Sequence, residues 1–100
     1  MENKKEKLIQ KEVDRIKDSE AELEKSREEL KKLETELKID RKFLDMQDIE
    51  ESLKEEVKYG IYALESMILE ERYKQKDLEK EIKISRARKQ VIDKFDEEEL

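Results

Sequence analysis

The chain has no cysteine, no histidine, no proline, no tryptophan and a single glycine in 100 residues. Without cysteine there is neither a disulfide framework nor a thiolate metal site. Without histidine the usual zinc sites and imidazole acid–base catalysis are excluded as well. No glycine-rich phosphate loop occurs, and no serine or lysine has an evident base to activate it. Acidic pairs such as Glu28-Glu29 and Glu50-Glu51 lack the spacing of a cation loop and read as solvated helix faces. These absences argue against an enzyme and leave no expected catalytic residue, metal or cofactor.

No apolar run approaches the roughly 18–20 residues of a membrane span. The opening Met-Glu-Asn-Lys-Lys lacks the apolar core of a signal peptide. A soluble, cytoplasmic protein is the expectation. Net charge is −6 and evenly spread, with 13 basic against 16 acidic residues in 1–50 and 11 against 14 in 51–100. No charged tail reads as a nucleic-acid arm.

What remains is helix chemistry. Charged residues make up 54% of the chain. Glu, Lys, Leu and Arg dominate, and these lose little rotamer freedom in a helix. The missing proline removes the strongest helix breaker. Ile9, Ile16, Leu23, Leu30, Leu37 and Leu44 recur every seven residues, the period of a coiled-coil seam. Continuing that ladder would require Glu51, Lys58 and Glu65, so it stops. A second stripe then takes over: Leu53, Val57, Ile61, Leu64 and Ile68, followed by Gln75, Leu78, Ile82 and Ile92.

The phase break falls at Asp45-Met46-Gln47-Asp48, and Asp48 with Glu51 reads as a capping box. One continuous helix with a stutter is the alternative. The expected fold is all-α: a long antiparallel helical hairpin, a coiled coil, forming a single elongated domain over residues 1–100. The helices should cover about 4–44 and 49–96, with the turn at about 45–48. Lysines at the start oppose the helix dipole and predict a loose first turn. Partner numbers should add to about 94, which sets Leu37 near Val57, Leu30 near Leu64, Ile16 near Leu78 and Ile9 near Ser85. Leu23 then faces Glu71, a poor layer. The companion seam positions, Val13, Glu20, Arg27, Glu34 and Arg41, are weak.

The second helix carries another apolar row on its opposite side: Tyr59, Tyr62, Leu69 and Tyr73, then Ile84, Ala87, Val91 and Phe95. A helix apolar on two faces is sandwiched between neighbours, although tyrosine also tolerates partial exposure. The row predicts a protein partner, most simply a second copy that completes a four-helix bundle. Gly60 beside the seam reads as a close-packing point, a hinge or a helix end.

Lys83, Arg86, Arg88 and Lys89 form the one concentrated basic segment, a possible contact for nucleic acid or an acidic protein surface. Ser85 among them is a candidate for phosphorylation. The first reading is a non-enzymatic structural or interaction protein acting through its apolar helix face. The second is a nucleic-acid-associated regulatory bundle using residues 83–89. In architecture alone, a charged helical hairpin of this length resembles the stalk subunits of bacterial flagellar-export and type III secretion ATPases. That resemblance implies a stalk or chaperone-like role in an export machine, and no motif carries it to particular residues.

Overall fold

The computed structural model describes residues 3–100. Two α-helices, α1 (Lys4–Asp45) and α2 (Glu51–Asp93), form an antiparallel helical hairpin, and a short 3₁₀ helix (Glu97–Glu99) follows. No strand occurs among the described residues, and no helix is long and apolar enough to cross a membrane. The chain therefore turns and is not one stuttered helix. Its contacts divide it into two compact units, residues 26–74 and residues 1–25 with 75–100.

The unit 26–74 contains the turn. Leu33, Leu37, Ile61, Leu64 and Ile68 form its buried core, with Leu30, Leu44 and Val57 packed against them. Residues 46–50 connect the helices. Met46 N–H donates to Phe43 O at 3.2 Å, and Glu50 O accepts from Leu53 and Lys54 N–H. Glu50 thus occupies the N-cap position of α2, two residues later than the Asp48 expected from sequence. Acidic Glu50 and Glu51 at this end suit the positive pole of the helix. Leu53, expected in the seam, is instead about half exposed. Glu34 bonds Arg72 at 3.3 Å and Arg41 bonds Glu65 at 3.4 Å across the two helices.

Gly60 lies inside α2, so it neither ends nor breaks the helix. A methyl group there would meet only the Asp40 Oδ2 at 3.8 Å, ordinary van der Waals contact. Close packing does not demand glycine at this point. Gly60→Ala is expected to stabilise the fold by about 0.5–1 kcal/mol in urea denaturation, because glycine mid-helix has more backbone entropy to lose. A loss of stability would mean that the helices approach more closely at Asp40 than 3.8 Å implies.

The unit made of 1–25 and 75–100 contains both ends of the described chain. Leu23, Leu78 and Ile82 form its core, with Ile16 packed against them. The first turn of α1, expected from its lysines to be loose, is instead tied down by hydrogen bonds. Glu97 accepts from Lys4 N–H at 2.7 Å through Oε1 and from Lys5 N–H at 3.0 Å through Oε2. Asn3 Oδ1 accepts from Glu6 N–H at 2.7 Å, and Asn3 O from Lys7 N–H. The N–H groups of Lys4, Lys5 and Glu6, which lie ahead of the first intrahelical bond, thus have acceptors, and the Glu97 carboxylate offsets the unfavourable lysines there. Lys5 Nζ donates to Asp93 O at 2.9 Å, near the last turn of α2, and Lys4 Nζ to Leu100 O.

Register differs from the sequence expectation in both units. Asp40 lies against Gly60, Ser19 bonds Glu81 and Glu12 bonds Arg88, and each pair adds to 100 rather than 94. Leu23 therefore meets Leu78 and Ile82 and is buried, instead of facing Glu71. The second seam position of α1 is also shifted by one residue. Glu12, Ser19, Ser26 and Leu33 are buried, three residues after Ile9, Ile16, Leu23 and Leu30. Glu20, Glu34 and Arg41, expected to spoil the seam, flank it instead. Glu20 bonds Arg86 at 3.1 Å in one unit, and Glu34 and Arg41 make the pairs described above in the other.

Candidate functional site

In the unit 26–74, α2 buries Ile61, Leu64 and Ile68 toward α1, with Val57 half-buried beside them, and turns Tyr59, Tyr62, Leu69 and Tyr73 outward. At 3.6 residues per turn these two rows lie roughly 145° apart. The outward side chains are 72%, 66%, 52% and 59% exposed respectively. Ser66, also exposed, occupies the remaining place in the row at spacings of 3, 4, 3 and 4. One rim carries Lys58, Glu65 and Arg72, each in an ion pair within the chain: Lys58 with Glu55 at 3.0 Å, Glu65 with Arg41 and Arg72 with Glu34. The Glu55 carboxylate holds the Lys58 pKa above its ordinary value, through the hydrogen bond first and its charge second. The other rim carries Glu56, Ala63, Glu70 and Lys74, all exposed.

A second patch in this unit escaped the sequence reading. Ile39 and Met46 are exposed on α1 and its exit, with Phe43 between them. With Lys38 and Lys42 they line a shallow depression of about 480 Å³. The signal was present as apolar residues at i, i+4 and i+7 outside the ladder.

In the other unit, Ile84, Val91 and Phe95 are exposed, and Ile84, Ala87, Arg88, Val91 and Ile92 line a depression of about 340 Å³. The basic segment is partly committed to its own chain. Arg86 bonds Glu20 at 3.1 Å, and Arg88 Nε donates to Glu12 Oε1 at 2.8 Å. Lys83 is exposed and Lys89 half-buried. Ser85 is buried, so a kinase cannot reach it without opening this unit.

Glu12 is the most unusual side chain of this unit, a carboxylate only 1% exposed. Its Oε1 accepts from Arg88 and, at 3.3 Å, from Arg15. Its Oε2 has no hydrogen-bond partner. Its pKa is held below the usual carboxylate value, chiefly by the Arg88 hydrogen bond. Burial pushes the other way, and the Ser85 hydroxyl with the charges of Arg88 and Arg15 adds to the lowering. No sequence signal marked Glu12, since one glutamate among many is unremarkable until register is known. Among the described residues, no three acidic side chains converge to hold a metal.

Comparison with protein-family models, curated proteins and solved structures finds no match to this chain.

Proposed function

We propose that this chain is a non-enzymatic helical interaction protein that associates with a second copy of itself through the outward face of α2. The observation that carries this reading is the row Tyr59, Tyr62, Leu69 and Tyr73, each more than half exposed. A contiguous apolar row on one side of a soluble helix marks an interaction surface more often than a solvated one. Its composition fits, because tyrosine is enriched at interfaces and leucine supplies apolar area without a polar end. Histidine and cysteine, which would carry imidazole or thiol chemistry, are absent from the sequence. The basic segment offers less to a nucleic acid than its composition implies, since Arg86 and Arg88 already serve Glu20 and Glu12.

Light scattering after size-exclusion chromatography tests the reading. The wild-type chain is expected at dimer mass at the upper end of a concentration series. Tyr62→Glu/Leu69→Glu is expected at monomer mass with unchanged helical circular dichroism, because neither side chain is buried in the hairpin core. A folded wild-type monomer throughout the series would defeat the proposal.

A further inference from the structure

We infer that residues 1–25 with 75–100 act as a latch, opening as one piece while the unit 26–74 stays folded, with the Glu12–Arg88 pair as its lock. The two units bury different chemistry. In the latch Glu12, Ser19 and Ser85 are buried beside Leu23, Leu78, Ile82 and Ile92. In the unit 26–74 five apolar residues are buried, and Ser26 is the one polar residue buried with them among the described residues. A buried polar atom without a partner costs free energy while the core is closed and regains water when it opens. Glu12 Oε2 and Gln75 Nε2 are such atoms in the latch, and Ser26 Oγ is their counterpart in 26–74. Opening the latch therefore loses less apolar burial and returns more hydration. Regions of this kind open below the free energy of global unfolding.

Connectivity sets the same order. Melting 26–74 alone would leave it a loop pinned at both ends by the closed latch, which limits the entropy gained, whereas melting the latch leaves no such loop. Much of what holds the latch is polar. Glu97 accepts from Lys4 and Lys5 N–H, but these groups are exposed and screened by solvent. Glu12 is different. Its carboxylate is buried in the seam and takes a 2.8 Å bond from Arg88 Nε. Without that guanidinium the charge is stranded in the closed unit and rehydrated in the open one. Opening uncovers Ser85, the one serine in the basic segment, together with Leu23, Leu78 and Ile82. The latch thus governs access to the hydroxyl that the closed unit buries.

Because the chain has no cysteine, single cysteines labelled by a disulfide reagent in native buffer read the opening. Ser19→Cys reports on the latch and Ile61→Cys on the unit 26–74. Both are made in the Tyr62→Glu/Leu69→Glu chain, so that association does not protect 26–74. Ile61→Cys leaves a cavity that favours exposure, which weighs against the expected difference. Ser19→Cys is expected to label about tenfold or more faster than Ile61→Cys. Its rate should also rise less steeply with urea, because opening the latch exposes less surface than global unfolding. Ile68→Val, in the core of 26–74, is expected to speed Ile61→Cys several-fold and leave Ser19→Cys unchanged. Arg88→Ala is expected to speed Ser19→Cys about tenfold, whereas Arg86→Ala, which removes an exposed pair of the same unit, should change it by no more than about twofold. Equal labelling of the two reporters, or equal acceleration of both by Ile68→Val, would show one cooperative hairpin and overturn the latch. An Arg88→Ala effect no larger than that of Arg86→Ala would overturn the lock.

Discussion

Leu64→Ala is expected to destabilise the hairpin by about 3 kcal/mol, the largest single-site loss from an apolar truncation in this chain. Leucine-to-alanine changes in buried sites lose the transfer energy of the removed methyl groups and leave a cavity, typically about 2–5 kcal/mol together. Leu64 belongs to a core of five buried residues, with three more packed against them. Two helices make a seam one layer thick, so no second shell of apolar residues can close over the gap. The same thinness lets side chains relax toward solvent, which keeps the loss below the upper end of that range. A domain of this size loses about 4–8 °C of Tm per kcal/mol, so the midpoint should fall by roughly 12–24 °C. Tyr62→Ala, on the outward face of the same helix, is expected to change dilute-solution stability by no more than about 0.5 kcal/mol. Urea denaturation followed by circular dichroism compares the two. Similar losses would mean that Leu64 and Tyr62 do not lie on opposite sides of α2 as described.

Half of the seam was legible in the sequence and half was not, for a definite reason. Ile9 to Leu44 is an apolar ladder on a polar background, and a seven-residue period has one structural meaning. Its companion row lies either three or four residues along, since 3.6 residues per turn makes both neighbours. Hydrophobicity normally decides between them. Here the row at +3 holds Glu12, Ser19, Ser26 and Asp40, with Leu33 its only apolar member. The row at +4, Val13, Glu20, Arg27, Glu34 and Arg41, is no more polar, so hydrophobicity does not separate the two. Burial picks +3, and the residues at +4 become the rim where Glu34 and Arg41 find arginine and glutamate across the seam.

The register error follows from the same weakness. With four of five companion positions polar, no pattern of large side chains pins one helix against the other, and the sequence alone does not separate registers six residues apart. Arg88 meets Glu12, and Glu81 meets Ser19, only once the register is correct. Those contacts were therefore invisible beforehand. The outward row of α2 was legible because it needs no partner position within the chain. Tyr59, Tyr62, Leu69 and Tyr73 share a face whatever α1 does, and their exposure follows from the seam lying opposite.

Arg88→Ala is expected to cost about 2 kcal/mol at neutral pH and noticeably less in acid. Removing one partner of a fully buried ion pair costs about 3–5 kcal/mol, but here only Glu12 is buried and the Arg88 side chain is 58% exposed, so solvent screening lowers the cost. Arg15 still reaches Glu12 Oε1 at 3.3 Å, which reduces the cost here. In the wild type the carboxylate titrates below its unfolded value, so it binds fewer protons folded than unfolded. That contribution to stability is complete above the unfolded pKa and is lost as pH falls through the lowered folded one. Without Arg88 the chief cause of the lowering is gone, and Ser85 and Arg15 are left to oppose the effect of burial. The variant's carboxylate therefore adds less stability at neutral pH than the wild type's does, and the gap between the two closes as acid protonates the carboxylate in both. The quantity to measure is the difference in unfolding free energy between wild type and Arg88→Ala, from urea titrations between neutral pH and about pH 3. The other carboxylates largely cancel in that difference. It should shrink as pH falls, and Glu12→Leu/Arg88→Leu should match or exceed wild-type stability with no such dependence. A gap that stays constant across the range would show that the Arg88 guanidinium acts through packing alone and that Glu12 is not its electrostatic partner.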